Sequence, residues 1–228
     1  RRHTFASPHL YDELMAGCEE VSTSRQGCLA MQRAVEAASE NQQALLVAEL
    51  ISRTPQMVRD PFGNYVIQFV LDMGCQETCD AIVEHCLPNL ADWACDKFAS
   101  NVVEKCLRNA GPERLSEMLS EMSEEYVLQR MLQDSYANYV LQTALDHAKG
   151  QQFRLIAEAS QKHLHMLANS PYGKRLQNRL QIKDVKRSST SKKKNASFSS
   201  SRSVASSRSN SSGSLAADAA APDVAQVS

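Results

Sequence analysis

Apolar residues recur three and four positions apart over most of the first 180 residues. The stretches 78–86 and 112–122 show this spacing most clearly, and it is typical of amphipathic helices. No segment keeps the alternation of apolar and polar residues that a strand requires. Gly74, Gly111 and Gly150 separate the helical stretches and indicate turns. The pattern predicts an all-α chain.

One motif recurs along these helices. The string at 60–68, Asp-Pro-Phe-Gly-Asn-Tyr-Val-Ile-Gln, returns in related form at 96–104 and 134–142, with weaker copies at 26–32 and 170–178. The equivalent positions, spaced by 36, 36, 38 and 36 residues, are Cys28, Asn64, Ser100, Asn138 and Lys174. So regular a period predicts a solenoid whose units cannot bury their apolar faces alone. We expect each unit to contain a short helix, the motif helix and a second long helix.

The motif helix separates polar from apolar positions. At 3.6 residues per turn, Gln68 lies about 40° from Asn64 and one turn along. Phe62, Val66 and Val70 lie on the opposite side. We therefore expect these three apolar residues in the core, and Asn64 and Gln68 pointing away from it. Stacking the units would align the polar pairs along one surface, with the neighbouring aromatic residues between them.

Charge is divided along the chain. Residues 1–185 carry 18 basic and 24 acidic groups, whereas residues 186–228 carry seven basic and two acidic ones. The stretch 188–214 is rich in Ser and has few apolar residues, which favours disorder. We expect a disordered tail at 183–228, acting as a solvated extension, an electrostatic arm for RNA or a phosphorylation-tuned segment.

Other features restrict the class of protein. No apolar run of about 18 residues is present, so we expect no membrane span. The first three residues lead into no apolar stretch, so we expect no secretory signal. The seven Cys are an odd number within apolar surroundings, which favours a reducing compartment. We expect a cytoplasmic protein. No catalytic motif stands out, so we expect no enzyme and no cofactor.

One group of residues raises the question of a metal site. Cys75, Cys79, His85 and Cys86 are close in sequence and include types that bind zinc. They belong to a predicted helix in which small apolar residues pack, and this favours buried thiols over a zinc site. We favour buried thiols and expect no metal.

The motifs resemble the Pumilio-homology (PUF) repeats of sequence-specific RNA-binding proteins. Asn-Tyr-Val-Leu-Gln at 138–142 and Ser-Asn-Val-Val-Glu-Lys at 100–105 carry the resemblance, which covers about 23–182. It implies a curved, right-handed α-solenoid of three-helix repeats. Four reading repeats and a C-terminal cap would occupy 23–182, after the end of a preceding repeat at 1–22.

The resemblance also implies roles for three motif positions. The first and fifth positions would contact a base edge and the second would stack between bases. The base-edge residues, called the polar ladder below, would be Cys28, Gln32, Asn64, Gln68, Ser100, Glu104, Asn138 and Gln142. The stacking residues would be Leu29, Tyr65, Asn101 and Tyr139. Leu29 departs from the aromatic residue or Arg that is usual at the stacking position. The unit that contains Lys174 has no base-edge pair and resembles the C-terminal cap of the family.

Side-chain chemistry agrees with these roles. Asn and Gln amides both donate and accept, which suits uracil, whereas an ionised Glu only accepts, which suits the two donors of guanine. The resemblance pairs Cys28 and Gln32 with adenine and runs the RNA antiparallel to the chain. The four pairs then spell 5′-UGUA-3′.

The implied function is binding of UGUA elements in the 3′ untranslated regions of messenger RNA by a monomer. Repression of translation or RNA decay would follow through repressor or deadenylase proteins on the convex face. Two alternatives remain open. One is a protein-interaction scaffold on which the polar pairs are only solvated, and the other is a nucleolar relative without strict sequence specificity.

Overall fold

The structure, a computed structural model, describes residues 8–163 and 173–180, and these ranges contain helices and short turns without a strand. The helices are α1 (Pro8–Ala16), α2 (Cys18–Ser22), α3 (Gly27–Ala37), α4 (Glu40–Ser52), α5 (Thr54–Met57), α6 (Gly63–Asp72), α7 (Gln76–Cys86), α8 (Leu90–Ala94), α9 (Ala99–Asn109), α10 (Pro112–Ser123), α11 (Glu125–Gln133), α12 (Ala137–His147), α13 (Gly150–His163) and α14 (173–180). A 3₁₀ turn at Leu87–Asn89 leads into α8. The predicted tail at 183–228 lies outside the described residues.

The predicted three-part unit is confirmed. A short helix, the motif helix and a long helix follow one another in the groups α2–α4, α5–α7, α8–α10 and α11–α13. The predicted helical stretches 78–86 and 112–122 are the main parts of α7 and α10. In the first unit α2 packs on both α3 and α4. This unit therefore begins before residue 23, the start expected for the repeat array.

The units stack in two layers. The motif helices α3, α6, α9 and α12 contact one another in sequence, and so do the long helices α4, α7, α10 and α13. Each unit thus covers the apolar face of its neighbour, as a solenoid requires. The described ranges contain no helix that is both long enough and apolar enough to cross a membrane.

The core forms where the helical pattern places it. Val66 and Val70 are completely buried, and Phe62 is partly buried against the same cluster. The predicted core face of the motif helix is therefore confirmed.

An aspartate-capped turn leads into three of the motif helices. Asp60 Oδ1 accepts hydrogen bonds from the backbone N–H groups of Phe62 and Gly63 at 2.8 and 2.7 Å. Asp96 and Asp134 make the same pair of bonds in the third and fourth units. These bonds satisfy N–H groups that have no partner within the helix. The turn fixes where each motif helix begins.

The cysteines of α7 behave as packing residues. Cys79 and Cys86 are buried, and burial raises the pKa of Cys79 to about 11 and that of Cys86 to about 12. Cys75 is exposed at the start of the helix, with its Sγ 3.0 Å from Glu77 Oε2. Within the ranges described above, no cluster of three His, Cys, Asp or Glu side chains could bind a metal ion. The interpretation as buried thiols is confirmed for Cys79 and Cys86 and is wrong for Cys75, which lies at the exposed start of the helix.

Candidate nucleic-acid interface

The predicted polar ladder falls on equivalent places of stacked helices. Each first-position residue lies in the first turn of its motif helix, and each fifth-position residue follows one turn later. Because α3, α6, α9 and α12 contact one another in sequence, the four pairs are repeated from one helix to the next. The structure therefore assembles the ladder from all four units.

The two Asn/Gln pairs share one internal hydrogen bond. Gln68 Nε2 donates to Asn64 Oδ1 at 2.9 Å, and Gln142 Nε2 donates to Asn138 Oδ1 at 3.0 Å. Asn64 Nδ2 donates to the backbone oxygen of Asp60 at 2.8 Å. The hydrogen bond between the two amides is thus common to both repeats, whereas the Asn138 amide donates to the backbone oxygen of Ser135, three rather than four residues earlier.

The first-position residues are more buried than the sequence predicts. Asn64 is only 1 % exposed, and Cys28, Ser100 and Asn138 are buried as well. The expectation that Asn64 points away from the packed interior is therefore wrong. A helical wheel considers one helix alone, whereas the preceding turn folds against the first turn and accepts a hydrogen bond from the Asn64 amide.

The fifth-position residues form the accessible edge of the ladder. Gln32, Gln68, Glu104 and Gln142 are all partly exposed. The first position thus forms the floor of the surface, and the fifth offers most of the polar atoms that a ligand can reach.

The third unit replaces the amide pair with a hydroxyl and a carboxylate. Ser100 Oγ lies 3.5 Å from the backbone oxygen of Lys97. Glu104 Oε2 accepts hydrogen bonds from Arg108 at 2.6 Å and from Thr143 of the next unit at 2.8 Å. An acceptor-only group therefore stands where the flanking units present amides.

The four predicted stacking residues are all accessible. Leu29 and Tyr65 are each 57 % exposed, Tyr139 is 47 % exposed, and Asn101 is exposed too. The phenol oxygen of Tyr139 lies 3.4 Å from Arg175 Nη1 on α14. Exposed rings beside polar side chains can stack on bases while the polar atoms contact the base edges.

A groove of about 490 Å³ lies between the first two units. Five of the predicted residues line it: Cys28, Leu29, Gln32, Tyr65 and Gln68. Arg25 and Lys105 supply positive charge to its lining, although Lys105 Nζ also contacts Asp72 at 2.6 Å. The groove joins base-edge and stacking candidates of neighbouring repeats in one cavity.

Sequence reasoning missed two kinds of supporting residue. The aspartates that precede the motif helices place the first position, and their regular occurrence four residues before it was the available signal. Thr143 contacts Glu104, which lies 39 positions earlier in the chain, and no local pattern indicates such a contact.

Comparison with known proteins identifies the repeats. The Pumilio-family RNA binding repeat matches residues 17–51, 54–85, 89–123 and 130–159. A Pumilio domain-containing protein of Schizosaccharomyces pombe is 34% identical over 172 residues, which cover 75% of this chain and 25% of that protein. Pumilio homolog 12 of Arabidopsis thaliana is 32% identical over 179 residues, covering 78% of this chain and 30% of the relative. The matched region is thus between a quarter and a third of these relatives.

Solved structures show the same fold. The Puf4 RNA binding domain bound to the HO endonuclease RNA 3′ UTR recognition sequence has a TM-score of 0.69 and 30% identity, covering 75% of this chain and 55% of that one. PUF-8 in complex with PBE-RNA has a TM-score of 0.69 and 29% identity, covering 76% of this chain and 52% of that one. The all-α solenoid is therefore shared with proteins that have been seen bound to RNA.

Proposed function

Because the chain belongs to the Pumilio family of RNA-binding repeat proteins, we propose that its four motif helices read four consecutive bases of single-stranded RNA as 5′-UGUA-3′. One observation carries the proposal: α3, α6, α9 and α12 present a base-edge pair at the same two positions of four stacked helices. A surface that served only to be solvated would not need such a repetition.

The chemistry of each pair supports the order of bases. Asn138 with Gln142 and Asn64 with Gln68 share one hydrogen-bonded arrangement, which suits the same base, uracil, at the first and third positions. Glu104 between them accepts only, which suits guanine at the second. In the first unit the Gln32 amide can accept a hydrogen bond from the donor of adenine and donate one to the adjacent acceptor.

The biological role that we propose is post-transcriptional. The chain would bind 3′ untranslated regions of messenger RNA in the cytoplasm and lower translation or RNA lifetime through repressor or deadenylase proteins on the face opposite the ladder. Support comes from the Puf4 relative, which is described as bound to a 3′ UTR recognition sequence. The family consists of RNA-binding proteins rather than enzymes, and the repeats belong to that class.

A code swap tests the readout. Ser100→Asn combined with Glu104→Gln gives the third unit the pair found in its neighbours, so the preferred second base should change from guanine to uracil. Fluorescence anisotropy with short RNAs containing UGUA or UUUA measures both affinities. Ser100→Ala alone is a matched control that retains Glu104 and should keep the guanine preference. Equal binding of the two RNAs by wild type and double variant would show that direct reading is wrong.

A further inference from the structure

Two side chains from different helices donate hydrogen bonds to the Glu104 carboxylate. Its Oε2 accepts one hydrogen bond from Arg108 on its own helix, at 2.6 Å, and one from Thr143 Oγ1 on α12, at 2.8 Å. Arg108 Nη2 also lies 3.4 Å from the Thr143 hydroxyl. In the described part of the chain, no donor contacts Glu104 Oε1. One carboxylate oxygen is thus occupied by the protein while the other keeps its acceptor sites.

The two donors differ in how firmly they are placed. The Arg108 side chain is 48% exposed, so its ion pair is screened by water and its long chain keeps much of its freedom. Thr143 is only 7% exposed and β-branched, which restricts its side chain within the helix. The bond from Thr143 to Glu104 is partly buried, and a hydrogen bond is stronger where water is excluded. Thr143 is therefore the main restraint on the carboxylate.

Thr143 lies five residues after the first motif position, and the residues at the equivalent position of other units also make contacts between units. Lys105 holds the same position in α9 and bonds to Asp72 of the preceding unit. Arg179 holds it in α14 and contacts Asp146 of the preceding unit. At Thr143 the partner is the side chain of a ladder residue, Glu104, whereas Arg179 contacts the ladder residue Gln142 only at its backbone oxygen, at 3.0 Å.

We propose that Thr143 is a positioning residue that sets the guanine preference of the preceding repeat, an inference that rests on the proposed function. Its hydroxyl fixes Glu104 Oε2 and so directs Oε1 toward the base. Because Thr143 directly follows Gln142, the helix that reads the first base also orients the group that reads the second. The specificity of the third repeat then depends on the presence of the fourth.

The test uses Thr143→Val, which keeps the branched shape and removes the hydroxyl, and Thr143→Ser, which keeps the hydroxyl. Dissociation constants are measured for UGUA and UUUA RNAs. We expect the ratio of the two constants to fall about tenfold in the Val variant, as loss of a hydrogen bond to a charged group predicts. The Ser variant should retain the wild-type ratio. A thermal melt checks that all three proteins are folded.

A second pair of RNAs distinguishes positioning from general damage. The ratio between UGUA and AGUA reports the first base, which Asn138 and Gln142 would read, and it should not change in Thr143→Val. If the Val variant keeps its guanine preference, or loses affinity equally for every RNA, positioning by Thr143 is refuted. If wild type itself shows no preference for guanine, the proposed function fails together with this inference.

Discussion

At the scale of single residues, the three motif positions that we propose to contact bases differ in accessibility. Asn64 at the first position is buried, Gln68 at the fifth is partly exposed, and Tyr65 at the second is largely exposed. An exposed ring offers its face to a base, whereas the buried residue orients its neighbour through a hydrogen bond. The second position should therefore be the easiest at which to change affinity without changing which base is preferred.

Leu29 is where affinity can be gained. It occupies the second position of the first unit, is 57% exposed and shares the groove with Tyr65. Leu29→Tyr supplies a ring where a branched aliphatic side chain now stands. Base stacking on an aromatic residue contributes about 1–3 kcal/mol, so affinity for UGUA RNA should rise about fivefold or more. Anisotropy titration measures the change.

Leu45→Tyr provides the matched control for that substitution. Leu45 is 59% exposed on α4, in the layer of long helices, and lies outside the groove. The Leu45→Tyr substitution adds the same ring at a similarly exposed position and should leave RNA affinity unchanged. Equal gains in the two variants would point to a nonspecific effect of an added tyrosine.

At the scale of helices, the sequence predicts the elements well and their surroundings less well. The stretches 78–86 and 112–122 match α7 and α10 because amphipathic spacing and turn residues are local signals. Burial of Asn64 and the contact of Thr143 with Glu104 arise only when turns and neighbouring units pack together. The eight ladder positions could be assigned from the motif because the period repeats, while their burial required the stack.

The capped turns give a prediction for the placement of a motif helix. Asp134 Oδ1 accepts from the N–H groups of Tyr136 and Ala137 at 2.7 and 2.9 Å, directly before Asn138, the first position of the fourth motif. Asp134→Ala removes the acceptor and should lower the free energy of unfolding by about 1 kcal/mol, or the melting temperature by about 2–4 °C. Thermal melting followed by circular dichroism measures this loss.

Asp134→Asn is the paired variant, because its side-chain oxygen can still accept both bonds. It should retain most of the stability and of the RNA affinity. Destabilisation of the Asn variant by as much as the Ala variant would show that the negative charge of Asp134, rather than the turn, stabilises the unit.

At the scale of the whole molecule, the division of charge explains how an acidic repeat array can bind an anion. Residues 1–185 carry six more acidic than basic groups. We therefore expect the affinity of the array to come from base edges and stacking more than from attraction to phosphates. Several cations are already paired within the array, such as Lys105 with Asp72 and Arg130 with Asp92. We propose that the array reads bases and that residues 186–228, with seven basic and two acidic groups, attract the RNA backbone.

Truncation after Lys186 separates these two contributions. It deletes six basic and two acidic groups and leaves every residue of the polar ladder. For single-stranded RNA, each phosphate contact makes the slope of log K against log salt steeper by about 0.7. If all six deleted basic groups contact phosphates, the slope of the full chain should be steeper than that of the truncated chain by about 4. The ratio of affinities for UGUA and UUUA should be the same in both proteins, since the preference for guanine is expected to depend on Glu104, which both retain. Equal slopes would show that residues 187–228 do not contact RNA, whereas a changed ratio would show that they take part in reading bases.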